Sequence, residues 1–292
     1  MPVFPESELI ISEAGRIYHL DLHPSEIAPI VITVGDPGRV PRVSRHFDRI
    51  DVQVQKREFV THTGWIGNQR LTVISSGIGP DNIDIVLNEL DALVNIDFTT
   101  RQPREQLRSL DIIRIGTTGG LQSDIPVDSF VVSRFAIGLD NMMHFYQRPP
   151  TLPEAELYDD LRDYLQHAGQ LPTEPYACEA HRDLVSAVAK KDLYTGITLT
   201  CPGFYGPQGR RLRAGSALHP DWLYRLSQFR HKKLAITNLE MESAAIFGLA
   251  RLLGHRATSC NAIIANRANQ TFSTNPKQTV DRLIETVLER IT

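Results

Sequence analysis

Apolar runs of strand length recur along this chain with amphipathic stretches between them, and that alternation limits the possible folds more than any other feature. "APIVITVG" (Ala28 to Gly35) is nearly unbroken and closes on glycine, the pattern of a strand buried on both faces of a sheet. "RLTVISSGIG" (Arg70 to Gly79), "DIIRIGTTGG" (Asp111 to Gly120), "SFVVSRFAIG" (Ser129 to Gly138), "TGITLT" (Thr195 to Thr200), "KLAITNLEM" (Lys233 to Met241) and "RATSCNAIIANR" (Arg256 to Arg267) repeat it. Among them, "DNIDIVLNELDALV" sets Ile83, Val86, Leu87, Leu90 and Val94 on one helical face, and "ESAAIFGLARLLG" (Glu242 to Gly254) stops on glycine. "KQTVDRLIETVLERI" reads as a terminal amphipathic helix. Strands alternating with helices imply an α/β sandwich, whose ligands gather at loops beyond the strand ends. With 292 residues, no repeat and no long Gly/Ser linker, the chain reads as one domain, 1–292, carrying an N-terminal extension (about 1–16) and an exposed insertion (about 95–111).

Charge and cysteine usage narrow the function classes. A net charge of -3 gives no general attraction to nucleic acid or an anionic membrane, so any bound anion must be held locally. Cys178, Cys201 and Cys260 are odd in number and far apart, which points to reduced thiols and against a disulfide framework or metal site. Without a signal-like N-terminus or an apolar run of about 20 residues, the expected location is the cytoplasm.

Three glycine turns could hold an anion. In "VGDPGRV" a strand ends at Gly35, turns through Asp36-Pro37-Gly38 and presents Arg39; backbone N–H groups converging there would make a phosphate cradle, and a plain surface turn is the competing reading. In "RIGTTGG", Arg114 stands inside an apolar strand and must find an anion or a carboxylate. "SSGIGPDN" precedes a helix, but Asn82 occupies the place of the third glycine of a dinucleotide fingerprint, and no P-loop occurs. Elsewhere, "FYGPQGRR" (Phe204 to Arg211) sets an aromatic ring, a carboxamide and two guanidiniums together, and in "NLEMES" an extended backbone would turn Glu240 and Glu242 to the same side.

Taken in order, "GDPGR", "KREF" (Lys56 to Phe59), "RIGTTGG", "FYGPQGRR" and "NLEMESAA" resemble the nucleoside phosphorylase superfamily, over roughly residues 17–292 apart from the insertion at 95–111, and within it the uridine-specific members. The resemblance implies a single-domain three-layer α/β sandwich with a central mixed β-sheet flanked by helices. It implies that Gly35, Arg39, Arg114 and Thr117 hold phosphate, with Arg57 reaching the phosphate of a neighbouring subunit's site. Ribose would be held by Thr117, Glu240, Met241 and Glu242, with His19, in "IYHL", lent across the interface to the 5′-hydroxyl. The base would meet Thr118, Gly119, Phe204, Gln208, Arg210 and Arg267, while Arg211 faces elsewhere. At "IIANR" purine-specific members carry aspartate, whereas this chain has Asn266-Arg267, favouring a pyrimidine.

The implied reaction is uridine plus phosphate giving uracil plus ribose 1-phosphate, with Arg210, Gln208 and Glu242 as the catalytic groups. Inorganic phosphate is the co-substrate, and neither cofactor nor metal is expected. Some relatives carry a monovalent cation at a dimer interface; Glu58 is present for it, but "GIGPDN" departs from the family's usual ending and argues against it. The implied assembly is a homo-oligomer, at least a dimer with sites shared across the interface, with dimer and hexamer both open. A same-fold nucleoside hydrolase, a purine-nucleoside phosphorylase and a non-catalytic nucleoside-binding protein are the alternatives. No nucleic-acid or membrane partner is expected.

Overall fold

The computed structural model describes residues 3–169 and 171–292. The fold is α/β, with mixed β-structure flanked by helices. Where the sequence suggests one domain, residue contacts group into two compact units: the chain up to Ile113 with Leu249–Arg256 and Thr292, and Arg114–Gly248 with Ala257–Ile291.

The first unit is built on β1 (Ile30–Val34), α1 (Val40–Ser44), β2 (Arg49–Lys56), β3 (Phe59–Ile66), β4 (Gln69–Ser75) and α2 (Pro80–Asn95), with a short hairpin of β5 (Ile96–Asp97) and β6 (Gln102–Pro103). β1 runs parallel to β4, with Ile32 opposite Val73, and β3 lies antiparallel between β4 and β2. Val31, Ile32 and Val34 are buried, as the unbroken apolar run requires, and so are Ile83, Val86, Leu87, Leu90 and Val94 of α2.

The N-terminal extension and the insertion hold each other. Arg101 donates from Nε to the Phe4 carbonyl at 2.9 Å and from Nη2 to the carbonyls of Pro5 and Leu9. Phe4 N–H returns a bond to the Arg101 carbonyl, and Leu9 is buried. The insertion is therefore a clasp rather than a free excursion; residues 1 and 2 of the extension lie outside the described residues.

The second unit contains β7 (Asp111–Gly120) from Arg114 onward, β8 (Phe130–Gly138), α3 (Leu152–Ala168), β9 (Tyr176–Glu179), α4 (Arg182–Val188), β10 (Tyr194–Thr200), α5 (Trp222–Gln228), β11 (Arg230–His231), β12 (Leu234–Glu240), the start of α6 (Ser243–Leu252), β13 (Arg256–Asn266) from Ala257, β14 (Thr271–Phe272) and α7 (Pro276–Ile291). β8, β10 and β12 are parallel neighbours, and β13 runs antiparallel to β8. The last residues of β7 meet β12, Gly119 opposite Leu239 and Gly120 opposite Asn238. Phe135, Ile137, Leu157, Leu161, Ile197 and Leu199 belong to its core. All three cysteines are free and buried. No helix among the described residues is long and apolar enough to cross a membrane.

Candidate functional site

In the second unit, β7, β12 and β13 bury a group of polar side chains, among them Arg114, Asn238, Glu240 and Asn261. Arg114 is buried, and its Nη2 donates to Glu242 Oε2 and lies 3.3 Å from Glu240 Oε2, while Nη1 donates to Asn261 Oδ1 at 2.5 Å. Burial alone would lower the Arg114 pKa, but the charges of Glu242 and Glu240 outweigh it and raise it. Gly116 makes the arrangement possible: a Cβ there would sit 1.8 Å from Arg114 Nη1 and 2.5 Å from Asn261 Oδ1. The arginine inside the apolar strand thus finds carboxylates.

Glu240, the last residue of β12, and Glu242, in the bend that leads into α6, turn to the same cation although the extended backbone stops between them. Their duties differ. Glu240 accepts from the N–H groups of Glu242 and Ser243, donors that α6 leaves open at its start, and from Thr200 Oγ1 at 2.6 Å. Burial raises its pKa against the pull of Arg114, with Glu242 adding to the rise. Met241 between them is half-buried.

The two threonines of "RIGTTGG" separate in role. Thr118 Oγ1 donates to the Leu239 carbonyl at 2.5 Å and accepts from Asn238 Nδ2 at 2.9 Å, so its hydroxyl is spent on β12 and its backbone is what remains for a ligand. Thr117 is half-buried, and its hydroxyl has no partner among the described residues.

The loop after β10 forms the second cluster. Gln208 is only 3% exposed and its Oε1 accepts from Arg210 Nη1 at 2.6 Å; the same nitrogen donates to the Phe204 carbonyl at 2.7 Å. Arg210 Cζ stands 3.7 Å from the centre of the Phe204 ring. Arg267 donates to the Gln208 carbonyl at 3.1 Å, and Gly119 lies under its aliphatic stem, a Cβ there being 3.6 Å from Cγ. Burial, then the charge of Arg267, lowers the Arg210 pKa, and burial lowers that of Arg267. Arg211 turns away to the Leu218 carbonyl at 2.9 Å. Asn266 is committed to structure, donating to the Gln122 and Ile125 carbonyls and accepting from Asn269 N–H, so of the Asn266-Arg267 pair it is Arg267 that joins this cluster.

In the first unit, Gly35 follows β1 and Arg39 is buried. The turn differs from a cradle of convergent donors: the Asp36 carboxylate accepts from Gly38 N–H at 2.8 Å and the Asp36 carbonyl from Arg39 N–H at 2.9 Å. An aspartate two residues ahead of a glycine closes its own turn before any anion can use those groups. His19 and Arg57, distant in sequence, come to one surface. The Tyr18 ring lies 4.8 Å from that of His19, edge to face, and 6.0 Å from Arg57 Cζ. Arg57 sits in the β2–β3 turn at φ 55, a left-handed conformation costly for a residue with a side chain. At Glu58, Asn82 Nδ2 donates to Oε1 at 3.1 Å, so the departure noted in "GIGPDN" already occupies that carboxylate oxygen.

The family model of the phosphorylase superfamily matches residues 29–292. The chain belongs to that superfamily. A uridine phosphorylase of Thermococcus kodakarensis is 28% identical over 92% of this chain and 84% of its own length, and one of Haemophilus influenzae is 26% identical over 93% and 96%. A crystal structure of a Trypanosoma brucei nucleoside phosphorylase, described as showing uridine phosphorylase activity, superposes with a TM-score of 0.87 at 29% identity over 97% of this chain and 99% of that one.

Several supporting residues escape a reading by motif. Asn261 and Asn238 are amides within strands that also bury Thr258, Ser259 and Thr237, a signal present in the sequence because such residues must find partners when buried. Glu89, which binds His19, carries no such mark, being one acidic residue on an amphipathic helix.

Proposed function

We propose that this protein catalyses phosphorolysis of a pyrimidine nucleoside, converting uridine and phosphate to uracil and ribose 1-phosphate. The observation that carries the reading is the Gln208, Arg210 and Arg267 cluster beside the Phe204 ring: two guanidiniums and a carboxamide suit the carbonyl oxygens and N–H of a uracil edge, and no carboxylate stands where purine-specific members have one. The uridine phosphorylases named above support it.

A phosphate oxygen forms a bond to the anomeric carbon as the glycosidic bond breaks, and the bonding pair leaves with the base. Arg210 and Gln208 stabilise the negative charge that develops on uracil, which takes up a proton on release. Glu242 orients the ribose hydroxyls, with Glu240 holding the start of α6 and Met241 forming wall. Arg114 and Thr117 bind phosphate; the unpartnered Thr117 hydroxyl fits that part. For Gly35, Arg39 and Arg57 the phosphate roles rest on the resemblance, and the left-handed backbone at Arg57 supports one, since strain of this kind gathers at functional positions. Thr118 and Gly119 serve the base through their backbone.

The reaction as proposed uses no resident cofactor or metal. We place the protein in the cytoplasm as a homo-oligomer whose sites are completed across an interface, the closeness of His19 and Arg57 supporting that arrangement. Incubation with uridine, with and without phosphate, tests the reaction by uracil release, with inosine as the purine control. Uracil release that requires phosphate is expected. Release without phosphate would indicate a hydrolase, conversion of inosine alone a purine enzyme, and binding without turnover a sensor.

A further inference from the structure

His19 occupies the tip of a tight loop that the first unit takes care to hold still. The loop is closed by Ile17 N–H bonding the Leu22 carbonyl at 2.9 Å and Asp21 N–H bonding the Ile17 carbonyl at 3.0 Å, with Asp21 at φ 54. Lys56 Nζ donates to the Tyr18 carbonyl at 2.6 Å. Inside the loop lies the Glu89 carboxylate, projecting from α2. It accepts from His19 N–H at 3.0 Å, from Leu20 N–H at 2.8 Å, and stands 2.6 Å from His19 Nδ1. One side chain thus holds both the backbone and the ring of the same histidine.

We infer that Glu89 is a positioning residue that fixes the His19 ring with Nδ1 inward and Nε2 offered to the substrate. The inference rests on the reading that His19 serves the ribose 5′-hydroxyl. A carboxylate is acceptor-only, so a 2.6 Å contact to Nδ1 places a proton on that nitrogen. In the neutral ring Nε2 then carries the lone pair and accepts from a hydroxyl. No described residue bonds His19 Nε2, and the ring is partly exposed, its side chain at 27%. The Tyr18 ring against one edge restricts rotation about the remaining torsion. Without the carboxylate the ring could turn over or exchange its tautomer, and the hydroxyl would lose a prepared acceptor.

The substitution Glu89→Gln tests this, because the amide retains an oxygen for the backbone donors but can present N–H to Nδ1 and reverse the tautomer. The readout is the ratio of kcat/KM for uridine to that for 5′-deoxyuridine, which lacks the hydroxyl in question. A loss confined to folding or to the base pocket affects both substrates alike and leaves the ratio unchanged. Glu89→Gln is expected to lower the ratio about threefold to tenfold, the worth of one hydrogen bond. His19→Ala should lower it at least as far, and the double variant no further than His19→Ala alone. A ratio lowered by His19→Ala but unchanged by Glu89→Gln overturns the positioning role and leaves His19 its assignment. A ratio unchanged in both overturns the two together, and wild-type protein that does not convert uridine removes the reaction before any variant is made.

Discussion

Arg114 and Glu242 form an ion pair inside the second unit, with Glu240 3.3 Å from the same guanidinium nitrogen and Asn261 on the other. The pair is buried and three-sided, so it contributes chiefly by never being broken: removing one member of such a group costs about 3–5 kcal/mol, because its partners stay buried without their counter-charge. Arg114→Ala should therefore lower stability by about that amount in urea denaturation and abolish phosphorolysis. The sign of the pH effect follows from Glu240, whose pKa burial already raises and Arg114 opposes. Without the arginine it rises further above its unfolded value, the folded state binds protons that the unfolded state has released, and stability falls as pH increases. The gap between variant and wild type should widen from about pH 5 to about pH 8; a constant gap would mean that the arginine does not hold the carboxylates ionised.

Arg210 is held by Gln208, the Phe204 carbonyl and the Phe204 ring, all within its own loop. Its proposed work is on the departing base rather than on phosphate. Arg210→Ala is expected to cost about 2–4 kcal/mol in transition-state stabilisation, as for a lost oxyanion donor, with the KM for phosphate near wild type. Steady-state kinetics with each substrate varied in turn checks this, and an unchanged turnover number would remove the proposed role.

The loop that carries these groups turns at Gly209. Its φ is 68, and a Cβ there would lie 2.3 Å from Trp222 Nε1, on a buried indole packed into the core of the second unit. An alanine meets a left-handed backbone and an unyielding neighbour together, so Gln208 and Arg210 on either side must shift. Gly209→Ala should raise the KM for uridine about tenfold or more, since small displacements of positioning groups are costly, while leaving the KM for phosphate close to wild type. Trp222 fluorescence, read in a Trp65→Phe background, should shift in the same variant. Wild-type KM for uridine with an unmoved spectrum would show that the loop tolerates the change.

How much of this was legible beforehand depended on burial. Apolar runs located β1, β7, β8, β10, β12 and β13 within a residue or two of their observed ends, because strands buried on both faces have little freedom in composition, whereas the run from Arg70 to Gly79 extends past β4 into the glycine turn after Ser75. The β2–β3 hairpin escaped. In "RIDVQVQK" most side chains are exposed, and β3 alternates Phe59, Thr61 and Thr63 inward with half-buried residues between, so threonines do work that a hydrophobicity scan cannot see. At the candidate site, motif order named the charged residues but not what restrains them. Arg114 inside an apolar strand left phosphate and carboxylate as equal partners; the structure shows the carboxylates, an outcome fixed by Gly116 and Asn261, which matter only once folding brings β13 beside β7. At Asp36 the backbone was not legible from glycine content, since the Gly38 and Arg39 N–H groups available in principle are taken by the aspartate of the same motif.

Asp128 ties the start of α7 to the strands and gives a pH dependence of the opposite sign to that at Arg114. Its Oδ1 accepts from Ser273 Oγ at 2.6 Å and Thr279 Oγ1 at 2.5 Å, and its carbonyl accepts from Arg282. Desolvation would raise its pKa, but those two hydroxyls and the charge of Arg282 together outweigh it and lower it. A carboxylate with a depressed folded pKa contributes stability that is present above its unfolded value and lost as pH falls through the folded one. Asp128→Asn is the suitable variant, because asparagine tolerates the φ of 66 found here and keeps an oxygen for both hydroxyls while losing the charge. Thermal melts should place the variant below wild type at about pH 7 and bring the two together only as pH falls through the depressed folded pKa of Asp128, below the value of about 3.9 of a free aspartate. Equal melting temperatures at neutral pH would mean that the hydroxyls bind the neutral amide as well as the carboxylate, and that α7 is anchored by the packing of Val280, Leu283, Ile284 and Val287 instead.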